Sequence, residues 1–292
     1  MSHEFALKSL ADTVEIAPGI QMPRLGLGTY KAAEGPDVAR EVSCGLSLGY
    51  RLIDTAAIYG NEISIGKVLQ ESEVAREDLF LTTKLWNSDQ GFEPALAAFE
   101  RSLSRLDVDY VDLYLVHWPW PQHMRETWRA MEQILDSGRA RAIGVCNHLP
   151  HHLAELVGSA TVMPAVNQFE FHPRLQQLEL AEACRQFGVT IQSWAPLMRG
   201  HVNDIPLLIA IAEGHNKTPA QVSIRWVLQK GITTIPKSVQ EPRIAENCAV
   251  YDFELSEDEM MAIDALDTGH RLGPDPDVFA PMGGVPSSMN RT

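Results

Sequence analysis

The chain has no run approaching the ~18 apolar residues of a membrane span. Its opening residues, MSHEFALKSLADTVEIA, intersperse charges and lack the apolar centre of a signal peptide. Cysteine is scarce: Cys44, Cys146, Cys184 and Cys248 stand far apart, with no CxxC pair and no zinc-like cluster. That excludes a disulfide framework and favours a reduced, cytoplasmic protein. Positive charge is also in short supply, with 24 Lys and Arg against 38 Asp and Glu and a formal net charge of −14. Such a surface repels phosphate backbones and anionic lipid, which argues against nucleic-acid and membrane partners. It leaves room for a local basic pocket that takes a small anion. The usual dinucleotide fingerprint is missing too: Gly26 and Gly28 are followed by Lys31 where a third glycine belongs, and no helix starts there.

Apolar residues make up 45% of the 292 and charged residues 21%, enough for a sizeable core. The length suits one barrel of roughly 250 residues. VEIAPGIQM alternates apolar and polar residues around Pro18-Gly19 and predicts a short hairpin. Strand-like and helix-like runs then alternate. Strands are expected over 24–29, 51–55, 79–85, 111–118, 140–147, 163–169, 189–195 and 232–238. Helices are expected over 36–49, 63–74, 93–106, 124–138, 150–159, 175–188, 205–215, 218–231, 241–248 and 256–267, with Pro119 and Pro121 stopping any regular continuation of the fourth strand. Ser256 and Glu259 have the spacing of a capping box.

Eight β-then-α units argue for a closed parallel sheet, an α/β (β/α)₈ barrel, with an open doubly wound sheet as the competitor. The whole chain, 1–292, is expected to form one domain. Residues from about 273 to 292, rich in Pro, Gly and Ser, are expected to form an extended tail.

Four polar residues stand at or just past three of these strands: Asp54, Tyr59, Lys84 and His117. In a barrel the C-terminal strand ends converge, so these groups meet. A lysine closing LFLTT needs an anion, because burying an isolated ammonium is very costly. Asp54 on the neighbouring strand supplies one. A cation about 4 Å from a phenol contributes roughly 4 kcal/mol at an effective dielectric of 20. That predicts a lowered Tyr59 pKa, less whatever burial and Asp54 take back, and a general acid near working pH. A neutral His117 would orient a carbonyl oxygen toward Tyr59.

No side chain in this set delivers a hydride, so a cofactor must. IPKSVQEPRIAEN offers Lys237, Ser238 and Arg243 beside a helix N-terminus, a ready phosphate site. Asn147, Gln168 and Trp194 end three further strands, with two amides and an indole suited to a planar, amide-bearing ring. A lyase that uses Lys84 as a Schiff-base nucleophile remains an alternative, as does a regulatory subunit that binds the cofactor without turnover.

Taken together, LIDTAAIYGNE, TKLW, DLYLVHWP, IGVCN, NQFEFHP and IPKSVQEPRIAEN resemble the aldo-keto reductase family over essentially the whole chain. The bacterial 2,5-diketo-D-gluconate reductase type is the most similar. The resemblance implies a barrel capped at its bottom by the hairpin. It implies NADPH (NADP+) as cofactor, and a monomer that reduces aldehydes, ketones, keto sugars or α-keto carbonyls to alcohols. Tyr59 would then be proton donor, Asp54 and Lys84 its tuning pair, and His117 the carbonyl orienter. Thr29, Asn147, Gln168, Trp194 and Val239 would bind cofactor. Lys237, Ser238 and Arg243 would hold its 2′-phosphate, with Glu246 and Asn247 near the adenine. Tyr30, Ile58, Trp86 and Trp118 would wall the substrate pocket with His117.

Three departures stand out: Cys146 where serine is common, Trp194 where tyrosine is, and His148 where an aromatic residue is. His148, His151 and His152 are expected to be solvated and to hold no metal. The loops after the fourth and seventh strands look short, which predicts an open site.

Overall fold

The computed structural model describes residues 7–279. A hairpin comes first, Thr13–Ala17 (β1) against Ile20–Pro23 (β2), turning at Pro18-Gly19 with Gly19 at φ 74°. There follow Leu27–Gly28 (β3), Pro36–Ser47 (α1), Leu52–Asp54 (β4) and Glu62–Glu71 (α2). Next are Phe80–Leu85 (β5), Phe92–Leu106 (α3), Val111–Val116 (β6) and Pro121–Asp136 (α4). Ala140–Cys146 (β7), Pro150–Val157 (α5), Val166–Glu170 (β8), Leu178–Phe187 (α6) and Thr190–Trp194 (β9) continue the alternation. Pro206–His215 (α7), Pro219–Gln229 (α8), Thr233–Thr234 (β10), Glu241–Cys248 (α9), Glu257–Asp264 (α10) and Pro276–Phe279 (α11) complete it.

Strands β3 to β10 pair in chain order, all parallel. The two ends of the sheet then meet. Leu25 bridges Thr234, Gly26 N donates to Thr234 O at 2.9 Å, and Thr234 N donates to Arg24 O at 2.9 Å. The competing open sheet is excluded by this closure. The first and last barrel strands are shorter than expected because Gly26, Gly28, Pro236 and their neighbours seal the seam with few regular pairs.

Every residue of β5 and β6 is buried, as strands sandwiched between a barrel interior and a helical layer must be. Leu52, Phe80, Leu113, Leu115, Val166 and Ile235 fill the inside, and Ile16 and Met22 of the hairpin join the same apolar cluster. The hairpin therefore plugs the barrel bottom. Outside, α3 buries Ala95, Ala98, Phe99, Leu103 and Leu106, the face set by helical periodicity.

Three expectations need correction. Helix α4 starts at Pro121, three residues before the expected 124: at the first helical position the missing N–H of proline has no partner to lose. The segment after β9 is not short; a 3-10 stretch over Met198–Asp204, bent by left-handed backbone at Arg199 and Gly200, folds over the mouth. The tail is not wholly extended, since it turns into α11; residues 280–292 of that expected tail lie outside the described residues.

Helices α2 and α3 touch closely at Gly66, where an added Cβ would fall 2.3 Å from Leu106 O and 2.8 Å from Leu106 Cα. Backbone cannot yield as a side chain tip can. Gly66→Ala is therefore expected to destabilise by about 1–3 kcal/mol through overpacking, although alanine favours an isolated helix by ~1 kcal/mol. Urea unfolding checks it; an unchanged midpoint refutes the close approach.

Candidate active site

The two-residue period of a strand explains which side chains reach the centre. Leu52 lies inside the barrel, so Asp54 does too. Phe80 is inside, so Thr82 and Lys84 follow, and Leu113 and Leu115 point the way for His117. Val166 sets the parity of Gln168, and Ile235 that of Lys237. Asn147 breaks this parity. Its left-handed backbone, φ 59°, turns the amide into the cavity directly after Cys146.

At the floor, Lys84 is fully buried, 2.5 Å from Asp54 Oδ1, and donates also to Thr55 O at 2.8 Å. Gln168 Nε2 donates to Asp54 Oδ2 at 2.8 Å. Tyr59 stands on a short 3-10 turn, Ala57–Tyr59, with Lys84 Nζ 5.2 Å from its ring centre. His117 packs edge-on against Tyr59 and Trp86, with centroids 5.7 and 5.2 Å away. The four groups expected to meet do meet.

Their electrostatics differ from the expectation. Tyr59 is held well above its ordinary pKa, first by burial, then by Asp54, Cys146 and Tyr30. Lys84 does not offset this, because its charge is matched by the carboxylate beside it. Burial also raises Asp54, against the opposing pull of Lys84 and Gln168. His117 is pushed well below its usual range by burial and then by Lys84, so its imidazole is neutral. Its Nδ1 has no partner.

Above this floor opens a cavity of about 740 Å³. Tyr30, Ile58, Trp86 and Trp118 wall one side, and Phe279 packs on Trp118 and Trp86 at 4.4 and 6.1 Å between ring centroids. Asn147, Gln168 and Trp194 line the middle. Trp194 Nε1 donates to Asn147 Oδ1 at 2.9 Å, and Asn147 Nδ2 donates to His117 O at 3.0 Å. Gln168 spends its N–H groups on Asp54 and Gln192, leaving its oxygen the weak Cys146 thiol contact at 3.9 Å.

Lys237, Ser238, Val239, Arg243, Glu246 and Asn247 line the far end around the start of α9. Glu246 also accepts from Thr218 Oγ1 at 2.7 Å, within the Thr218–Gln221 cap of α8. Thr29 lies elsewhere: it is fully buried, its hydroxyl donates to Asp54 O at 3.0 Å, and Gly28 lines the cavity in its place.

Three features escaped sequence reading. Arg199 joins the lining from the loop after β9, and only its tertiary position reveals that. Phe279 reaches the aromatic wall from the far end of the described chain. Glu170 holds the tail there, accepting from Leu272 N at 2.7 Å and Gly273 N at 2.9 Å, and Gly273 sits against the Trp194 ring.

The histidine expectation fails in two of three cases. His148 is buried with Nδ1 2.8 Å from Cys146 O, and burial pushes it down to about 3. His152 is buried and pushed down to about 4 by burial and His151; His151 alone is exposed. His151, His152 and Asp277 form a cluster of liganding atoms within 4.8 Å. His152 Nδ1 accepts from Leu149 N at 3.2 Å, which puts the proton on the Nε2 that faces Asp277. His151 and His152 thus bring α5 against α11, with Nε2 atoms 2.9 and 3.3 Å from Asp277 Oδ1.

The model of the Aldo/keto reductase family matches residues 24–268. A glyoxal reductase of Bacillus subtilis is 52% identical over 92% of this chain and 98% of its own. An aldo-keto reductase from a deep-sea metagenome library superposes with a TM-score of 0.89 at 39% identity, over 91% of this chain and 99% of its own. A Bombyx mori aldo-keto reductase crystallised with NADP gives 0.85 at 31% identity, over 93% and 97%. No helix among the described residues is long and apolar enough to cross a membrane.

Proposed function

Since the chain belongs to the aldo/keto reductase family, we propose that its Tyr59, Lys84, Asp54 and His117 reduce a small carbonyl compound at the floor of an NADPH cavity. The chain is an NADPH-dependent carbonyl reductase. NADPH, when bound, supplies the hydride. The observation that carries the residue assignment is one continuous cavity, with a proton-donating floor and a basic helix N-terminus at its far end.

The residues fit the cofactor. Asn147 and Gln168 offer amide groups with unspent hydrogen-bonding capacity for a carboxamide, and the Trp194 ring offers a flat face. Lys237, Ser238 and Arg243 surround the start of α9, where two side-chain cations and the helix dipole favour a phosphate. Glu246 and Asn247 flank the place an adenine would take, with Val239 beside them.

His117, neutral, donates to the substrate oxygen and fixes its orientation. Tyr59, kept protonated by its surroundings, donates a second hydrogen bond and hands over its proton as negative charge develops on that oxygen. A lowered phenol pKa is not needed, because an alkoxide is a stronger base than a phenolate. Lys84 holds Asp54 and the Thr55 carbonyl, so the floor keeps its shape. The same geometry disfavours the Schiff-base alternative. Lys84 Nζ is committed to those two oxygens and is absent from the cavity lining. The non-turnover alternative would bind NADPH and leave it unoxidised with every aldehyde.

We take short α-oxo aldehydes such as glyoxal as the substrate class, with keto sugars second. The aromatic wall and two hydrogen-bond donors suit a compact dicarbonyl, and the Bacillus relative is named for one. Loss of NADPH absorbance across glyoxal, methylglyoxal, aromatic aldehydes and keto sugars tests this. Faster turnover of the keto sugars overturns the order, and no turnover with any of them favours the regulatory reading. Residues 1–292 are taken as one barrel domain acting as a cytoplasmic monomer, consistent with four free cysteines; size-exclusion chromatography checks the oligomeric state.

Arg243→Ala removes a charged donor from the phosphate end. It is expected to weaken NADPH roughly 10- to 100-fold, the loss of one charge-assisted hydrogen bond. NADH, without the 2′-phosphate, is expected to be nearly unaffected. Equal weakening of both, in a fluorescence titration, refutes the assignment.

A further inference from the structure

Beside the phosphate end, on the buried face of α1, lies Glu41. It has no exposed surface, and neither carboxylate oxygen has a hydrogen-bond partner. The chemistry derived above gives it no role. A buried, unpartnered carboxyl is costly in its ionised form, so its presence calls for a reason.

The groups that favour its ionised form are Lys237 and the Ser238 backbone, residues of the same cradle that lines the cavity. Lys237 in turn feels Glu41, Lys31 and Asp37. Helix α1 packs on α9, which brings Glu241 near Cys44, one turn beyond Glu41, and places Arg243 on the next element. On α2, which also packs on α1, Glu62 is committed to Thr83 and Arg105, and Lys67 and Glu71 face solvent. Lys237 is thus the cation that Glu41 addresses, and it is one of the cations assigned to the phosphate.

We propose that Glu41 sets how strongly the cavity prefers a ligand bearing a 2′-phosphate: ionised, it draws on the charge of Lys237, and protonated, it leaves that lysine to the ligand. The inference rests on the reading of Lys237, Ser238 and Arg243 as the phosphate site.

Burial pushes the Glu41 carboxyl up to about 8, with Lys237 and Ser238 opposing. The group is then mostly neutral at pH 7 and mostly ionised at pH 9. A bound phosphate dianion adds negative charge and engages Lys237, which raises the carboxyl further. Binding therefore takes up a proton, and affinity falls as pH rises through about 8. The phosphate's own second ionisation, near pH 6 by comparison with other phosphomonoesters, lies below this range.

The test is titration of NADPH and NADH against the full-length protein at pH 7, 8 and 9, at constant ionic strength, for wild type and Glu41→Gln. The wild-type NADPH dissociation constant is expected to rise by about tenfold from pH 7 to 9, and NADH to change little. In Glu41→Gln the NADPH profile is expected to flatten. Calorimetry at pH 8 in buffers of different ionisation enthalpy reads the proton directly in wild type alone, so the test survives a variant that fails to fold. An equally steep profile in Glu41→Gln, or no NADPH-specific proton uptake in wild type, overturns the role of Glu41 and leaves the phosphate site standing. Equal affinity for NADPH and NADH at pH 7 overturns the phosphate site and this inference with it.

Discussion

Tyr59→Phe is expected to lower kcat for aldehyde reduction by about 10²- to 10⁴-fold, the usual contribution of a positioned general acid. The NADPH dissociation constant should stay nearly constant, because the proposed reading gives Tyr59 to the substrate and Lys237 and Arg243 to the cofactor phosphate. The substitution removes one oxygen and keeps the ring that packs on Tyr30 and His117 at 5.1 and 5.7 Å, so the floor should not collapse. Stopped-flow reduction and an equilibrium NADPH titration on the same variant separate the two effects. A loss of less than about fivefold in kcat would move proton donation away from Tyr59. The raised pKa of Tyr59 adds a further expectation: reduction should not fall through ionisation of this phenol at pH 8 to 9, since the group keeps its proton there.

Lys84→Met carries the largest expected cost in stability. Met fills the space but removes the only ion pair that Asp54 makes among the described residues, leaving a carboxyl at 1% exposure with Gln168 as its side-chain donor. Breaking one side of a buried pair typically costs about 3–5 kcal/mol. Asp54 escapes part of this by taking up a proton, since burial already favours its neutral form. In the variant its folded pKa therefore stands further above the unfolded value. The folded state then binds more protons, and the deficit grows as pH rises above the unfolded carboxyl range of about 4. Lys84→Met/Asp54→Asn should recover part of the loss, and a double-mutant cycle measures the coupling. A single variant as stable as wild type at pH 8 would show that the pair is dispensable to the fold. Activity is expected to fall as well, because Lys84 also holds the Thr55 carbonyl beneath the turn that carries Tyr59.

The meeting of Asp54, Tyr59, Lys84 and His117 was legible in the sequence because strand parity and strand ends are local properties. Lys84 had to face inward once Phe80 did, and a buried lysine had to have an anion. The basic rim was legible for a similar reason, with Lys237, Ser238 and Arg243 lying next to one helix start. Charge regulation was not legible. Whether Lys84 lowers the Tyr59 pKa depends on how its field divides between a carboxylate 2.5 Å away and a phenol ring 5.2 Å away, and burial outweighs both. Thr29 shows the same limit: adjacent to Gly28 in the chain, it points below the floor to bond Asp54 O. The burial of His148 and His152 also went unseen, because a Pro-led helix start does not say which of its side chains the tail will cover.

By itself, then, the sequence determined the barrel, the order of its strands, the four groups at its floor and the basic helix start at the cavity rim. Each follows from a period of two, a period of 3.6 or a neighbour a few residues away. Only the tertiary structure decided that Phe279 closes the aromatic wall, that Glu170 holds the tail against Trp194, and that Glu41 is buried where it feels Lys237. Those are contacts between segments as far apart as about two hundred residues. Their energies depend on burial and on fields from groups that no local pattern brings together.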